Sequence, residues 1–233
     1  MPDIEENLAR VKNQLADAAA KANRNPSEIE LLVVSKTWPA ETVQQVFDAG
    51  QTLFGENRVQ EAIAKIPLLS SKLEWHLIGH LQKNKIRKAL PLFDTLHSID
   101  SLELAQQTNR IAGELGLFPK VYLEVNVAAE ASKHGFTPVD LTNQIDELLN
   151  LERLQIEGLM AIPPFDPDPE NTRPHFVSLR KFRDQLQTQT GVPLPKLSMG
   201  MSHDYPVAIE EGATIVRVGS AIFGPRKQKK ATP

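Results

Sequence analysis

Apolar positions in this chain come in two kinds of pattern, and the two alternate from one end to the other. Ile4, Leu8, Val11 and Leu15 recur at helical spacing, with Asp3 and Glu6 placed as a capping box, so a helix is predicted ahead of the first strand. The run "LLVVS", Leu31 to Ser35, is apolar at successive positions, as a strand buried on both faces requires. A helix is predicted from Pro39, a favoured first position, to a stop at Gly50. The alternation then repeats. A short strand near Leu53 precedes a helix after "GEN"; a strand from Trp75 to Ile78 precedes a helix from Asn84 to Ala89; a strand from Thr95 to His97 precedes a helix from Ser101 to Leu115. Leu104, Thr108, Ile111 and Leu115 share one face of that helix. "KVYLEVNV" is followed by a helix from Pro138 to Leu149, "LQIEGLMAI" by a long helix from Glu170 to Gln189, and "PKLSM" by a helix after Ser202, before "TIVRVG" closes the series.

Eight strands, each but the last with a clear helix behind it, predict one α/β domain over residues 1–233: a (β/α)8 TIM barrel with an extra N-terminal helix. The alternative, an open doubly wound sheet, would carry a GxGxxG turn after the first strand if it bound a dinucleotide, and there is none. No internal repeat or low-complexity segment interrupts the order. "IPPFDPDPENTRP", within which lies the loop 163–174, reads either as a stiffened surface connection or as a rim loop shaping a pocket.

Composition narrows the function classes. With 233 residues, 41% hydrophobic, the chain is long enough for one large core. A formal charge of -3 gives no electrostatic case for nucleic acid, and the basic run Arg226, Lys227, Lys229, Lys230 reads as a solvated tail. Without cysteine there are no disulfides, thiolate ligands or thiol nucleophile. His76 and His80 fall where a strand runs into a loop, so helical ligand spacing does not apply and no metal site is expected. The acidic start "MPDIEENLARV" is not a signal peptide and no segment reaches the length of a membrane span, so a cytoplasmic location is expected.

A barrel of this kind carries its chemistry at the C-terminal ends of its strands, often with phosphate bound by the loops after strands seven and eight. Those loops join hydroxyls to glycines: Ser198 with Gly200, and Gly219 with Ser220. Such residues suit a phosphate monoester, and they also suit an ordinary turn. The period of two puts Arg217 on one face with Ile215 and Gly219, where it either pairs with a rim carboxylate such as Glu124 or meets a ligand atom. Lys36, at the end of strand one, is either a surface lysine or an amine that desolvation makes nucleophilic toward an aldehyde. Taken together, these residues suggest a ligand that carries both an aldehyde and a phosphate, and pyridoxal 5'-phosphate is one.

The segments "LLVVSKTWP", "FGENRVQEA", "EWHLIGHLQKNK", "GLMAIPP", "LSMGMSHD" and "VRVGSAIFG" closely resemble those of the pyridoxal phosphate homeostasis proteins, relatives of the N-terminal barrel of bacterial alanine racemases. The resemblance implies that Lys36 holds pyridoxal 5'-phosphate as a Schiff base. It implies that Ser198, Gly200, Gly219 and Ser220 contact the phosphate, that Arg217 faces the pyridine nitrogen and that Asn57 lies near the cofactor. In "NVAAEASKHGF", which includes Lys133, this chain has His134 where the family prefers a small residue. The racemases add a β-rich domain bearing an opposing tyrosine; here the sequence runs out at "FGPRKQKKATP", and Tyr122 and Tyr205 are not placed to replace it. The expected function is therefore a monomeric, non-catalytic carrier in cofactor homeostasis, whose partners are apoenzymes that use the cofactor or a regulator, with no nucleic acid or membrane involved. The competing readings are an amino-acid racemase and a Schiff-base aldolase on a phosphosugar.

Overall fold

The computed structural model describes residues 3–128 and 134–225; Lys133 and the basic run Arg226, Lys227, Lys229, Lys230 lie outside the described residues. The elements follow one another as α1 (Ile4–Lys21), β1 (Glu30–Val34), α2 (Ala40–Asp48), β2 (Leu53–Glu56), α3 (Val59–Lys65), β3 (Glu74–Leu77), α4 (Ile86–Ala89), β4 (Thr95–Ile99), α5 (Leu102–Leu115), β5 (Lys120–Glu124), α6 (Pro138–Leu149), β6 (Gln155–Met160), α7 (Arg173–Thr190), β7 (Lys196–Met201), α8 (Tyr205–Glu210), β8 (Ile215–Val218) and α9 (Ser220–Phe223). The eight strands form a closed parallel barrel in sequence order, with β8 returning to pair with β1. This is the expected (β/α)8 architecture with its additional first helix.

Strand parity divides the core in two. Leu32 and Val34 point into the barrel, where they meet Leu53, Ile78, Tyr122, Met160 and Ile215, whereas Leu31 and Val33 point outward into the layer under the helices. Short polar side chains cap α1, α5 and α6. Asp3 accepts from the Glu6 N–H at 3.0 Å, Ser101 from Leu104 and Thr137 from Asp140.

Three boundaries differ from the pattern-based expectation. The helix expected over Asn84 to Ala89 is a 3₁₀ turn, Lys83–Lys85, followed by the single turn α4. The long helix expected from Glu170 starts with a 3₁₀ turn, Pro169–Thr172, and becomes α-helical at Arg173 with Pro174 in its first turn, where a missing N–H costs nothing. The eighth strand also has its helix, the short α9.

The first helix packs against the elements that follow strands seven and eight. Tyr205 donates its hydroxyl to Gln14 Oε1 at 2.5 Å, Asn7 Nδ2 donates to the Ile222 carbonyl at 3.0 Å, and Arg24 Nη1 donates to the Ile209 and Ala213 carbonyls at 2.8 Å. The proline-rich stretch lies against the loop after β7: His203 Nε2 is 3.0 Å from the Pro167 carbonyl and its ring stands 5.3 Å from that of Phe165. Among the described residues, no helix is long and apolar enough to cross a membrane.

Candidate functional site

Strand β1 ends at Val34, and the chain turns at once. The Trp38 N–H bonds to the Ser35 carbonyl at 3.1 Å, and Thr37 takes a left-handed φ of 70°. Half-buried Lys36 sits inside that turn, at the C-terminal mouth of the barrel. A buried polar cluster pins the turn from behind. Ser35, fully buried, donates its hydroxyl to Glu56 Oε1 at 2.7 Å, and Lys65 Nζ donates to the Ser35 carbonyl at 2.9 Å and to Glu56 Oε1 at 2.5 Å. Glu61 accepts from the Thr37 N–H at 3.0 Å, and the Trp38 ring stacks on Phe223 of α9 at 5.2 Å. The lysine is thus carried by a turn fixed to β2, α3 and α9. Asn57, half-buried, follows Glu56 at the same end of β2, and its backbone runs so close to Gly79 that a Cβ there would stand 2.3 Å from the Asn57 carbonyl oxygen.

The hydroxyl–glycine segments are placed differently from the expectation. Ser198 is not at the rim: β7 continues to Met201, so Ser198 lies within the barrel, fully buried, its Oγ 2.6 Å from Arg217 Nη1 and 2.9 Å from His97 Nδ1. Gly200 takes φ +91°, and a Cβ there would stand 2.6 Å from Ala208 Cβ, so its lack of a side chain is what lets β7 turn tightly onto α8. The rim hydroxyl is Ser202, whose Oγ accepts from the Gly219 N–H at 3.0 Å and from the Ala221 N–H at 3.4 Å. Gly219 lies against β1, where a Cβ would be 3.1 Å from the Val34 carbonyl oxygen, and Ser220 is exposed as the first residue of α9. Two backbone donors and a hydroxyl converge here beside the Lys36 turn, and phosphoryl oxygens satisfy donors of that kind. The donor set fits an aldehyde-bearing phosphate ester.

Arg217 points into the barrel, as its parity predicts. Its guanidinium donates to the Ser198 carbonyl at 2.7 Å and to the Ala161 carbonyl at 2.9 Å as well as to Ser198 Oγ. Burial pushes its pKa down to about 10, opposed by the fields of Glu124, Asp204 and Tyr122. Glu124 therefore acts on it as a nearby charge, while the hydrogen bonds go to backbone and to Ser198. Below Arg217 a polar chain runs down the axis: Ser198, then His97, then His76 at 2.9 Å from His97, then Glu74 at 3.2 Å from His76. Because Arg217 can only donate, the Ser198 hydroxyl is free to donate to His97 Nδ1; His97 Nε2–H then donates to His76 Nδ1, and His76 Nε2–H to Glu74. That order satisfies every member with both imidazoles neutral. It agrees with the His97 pKa, which lies well below its usual value through burial, then His76, then Arg217. Tyr122 stacks on His97 at 4.4 Å, and burial raises its hydroxyl above the usual range. With Tyr205 bonded to Gln14, neither tyrosine presents a hydroxyl to the mouth.

Across the mouth stand His80, Asp100 and His134, from the loops after β3, β4 and β5, with Glu124 beside them. Pattern reading missed this group and Ser202, because neither shows as spacing along the chain. The axial histidines did leave a signal: polar residues at inward parity in otherwise apolar strands.

The whole chain has relatives. A family model for the alanine racemase N-terminal domain matches residues 6–227. The pyridoxal phosphate homeostasis protein of Aquifex aeolicus (strain VF5) is 43% identical over 223 residues, covering 95% of this chain and 98% of that protein. That of Escherichia coli (strain K12) is 41% identical over 236 residues, covering 99% and 100%. Among solved structures, PipY of Synechococcus elongatus PCC7942 with PLP bound superimposes with a TM-score of 0.86 at 43% identity, covering 95% of this chain and all of that one. An alanine racemase of Clostridium difficile 630 shares the fold, with a TM-score of 0.76 at 20% identity over 98% of this chain and 58% of its own. This chain belongs to the alanine racemase N-terminal domain family and, within it, to the pyridoxal phosphate homeostasis proteins.

Proposed function

We propose that the chain binds pyridoxal 5'-phosphate at the C-terminal mouth of its barrel, tethered to Lys36, and serves in managing the supply of that cofactor rather than in turning over a substrate. The observation that carries this reading is the fixed turn presenting Lys36 next to the donors of Ser202, Gly219 and Ala221. When bound, the cofactor would supply an aldehyde, and Lys36 would hold it through its amine. The chain's own residues do the rest. The Ser35–Glu56–Lys65 cluster holds the turn in place. Gly219, Ser220 and the Ser202 loop receive the phosphate, and Asn57 flanks the site from β2. Arg217, a permanent donor, suits a ring nitrogen that stays unprotonated, which weakens the ring as an electron sink and favours holding over catalysis. The finer expectations of a monomer working in the cytoplasm with apoenzyme partners belong to this same reading.

The test is the absorbance spectrum of the purified protein before and after borohydride, with the reduced adduct mapped by peptide. Visible absorbance and an adduct on Lys36 are expected, both lost in Lys36→Ala; an adduct on Lys83, Lys85 or Lys133 overturns the assignment. Chiral analysis of alanine and serine after long incubation checks the second half. Racemisation at about 1 per second or faster that disappears in Lys36→Ala makes the protein an enzyme.

A further inference from the structure

We propose that His80, Asp100 and His134 form a site for one divalent transition-metal ion on the rim of the barrel, distinct from the cofactor site. His80 Nδ1 lies 2.9 Å and His134 Nδ1 3.7 Å from the same oxygen, Asp100 Oδ2, and all three ligand atoms lie within 4.8 Å of one another. Ligand atoms about 2.0–2.2 Å from a zinc ion in tetrahedral array stand roughly 3.3–3.5 Å apart, so small side-chain rotations bring this group to coordinating distance.

The surroundings hold the three side chains together. The two imidazoles stack at 4.2 Å and 17°, which keeps the His134 ring beside that of His80 at the Asp100 carboxylate. Asp100 is nearly buried, and its other oxygen accepts from the Ser101 hydroxyl at 3.2 Å, which orients Oδ2 toward the rings. One histidine suffices for a hydrogen bond to Asp100; the second, aimed at the same atom, is surplus to that bond and is accounted for by coordination. Two imidazoles and a carboxylate suit zinc, cobalt, nickel or copper, and leave coordination positions open, whereas calcium and magnesium call for oxygen ligands.

The place of the site follows from strand order. In a closed eight-strand barrel β4 faces β8 across the mouth, β3 faces β7 and β5 faces β1. Asp100 therefore stands opposite Gly219, His80 opposite Ser202 and His134 opposite Lys36. An ion here ties together three separate loops on the side of the mouth away from the lysine.

The test is titration of the full-length protein with Co²⁺ and Zn²⁺, followed by the cobalt visible spectrum and by calorimetry, with and without added pyridoxal 5'-phosphate. One ion per chain is expected in both conditions. Affinity should fall by about tenfold or more, at least what loss of an outer-shell partner costs, in each of His80→Ala, Asp100→Asn and His134→Ala. It should hold in His203→Ala, whose exposed ring lies outside the cluster. Absence of stoichiometric binding, binding only when the cofactor is present, equal affinity in the three cluster variants, or equal loss in His203→Ala each overturns the proposal.

Discussion

Glu124, the last residue of β5, has its carboxyl pushed up to about 7, first by burial and then by Asp100, against the pull of Arg217. A carboxylate raised above its unfolded value of about 4.3 binds more protons in the folded state through the interval between the two values. Its contribution is therefore fully present below the unfolded pKa and is lost as pH rises through about 7. Glu124→Gln should remove this loss, so that the variant gains stability over the parent between about pH 5 and pH 8; urea midpoints at the two pH values check it, and an unchanged difference would mean that the carboxyl is not held protonated. The same scale shows what pattern reading reaches. The place of Lys36 at the end of β1 was legible because Thr37, Trp38 and Pro39 break the strand just beyond it. Arg217 was legible because its parity in "TIVRVG" is unambiguous. Ser198 lies deeper than expected: nothing in "LSMGMSHD" announces that β7 runs to Met201, two residues beyond "PKLSM", which moves the rim hydroxyl to Ser202.

At the level of elements, the buried pair of Glu56 and Lys65 joins the end of β2 to the last turn of α3 and, through Ser35, to the turn after β1. Burial raises the Glu56 carboxyl even though Lys65 pulls it down, and its second oxygen, Oε2, has no hydrogen-bond partner. The pair is thus finely balanced. Lys65→Met should cost about 3–5 kcal/mol, the usual result of stranding one member of a buried ion pair, while adding Glu56→Gln to it should restore a large part. Equilibrium urea unfolding of both variants measures this, and a single variant as stable as the parent removes the pair from any positioning role. Element type and order were readable from apolar runs and caps. The 3₁₀ turns at Lys83–Lys85 and Pro169–Thr172 were not, since i, i+3 bonding leaves the same side-chain pattern as the first turn of an α-helix. A glutamate and a lysine nine residues apart, on a strand and a helix, carry no pattern at all.

For the molecule as a whole, the most exposed apolar side chains among the described residues, Phe165, Leu68, Val139 and Phe118, lie on four separate segments of the chain. Sedimentation is therefore expected to give the mass of one chain across a range of concentrations, and a concentration-dependent dimer would contradict this. The barrel was legible at this scale because eight apolar strands with intervening helices leave few ways to bury both faces of a parallel sheet. The docking of α1 was not, since it depends on contacts far apart in sequence. That docking bears on the order in which the protein is made. Gln14 meets a partner 191 residues later and Asn7 one 215 residues later, so the helix emerges from the ribosome long before its contacts with α8 and α9 can form. Until then Leu8, Val11, Leu15, Ala18 and Ala19 lack the part of their cover that α8 and α9 supply, and the nascent chain leaves that apolar stripe partly open. Since the partners are the segments on either side of Ser202 and Gly219, the loops proposed to receive the phosphate gain the support of α1 only once the last strands have been made.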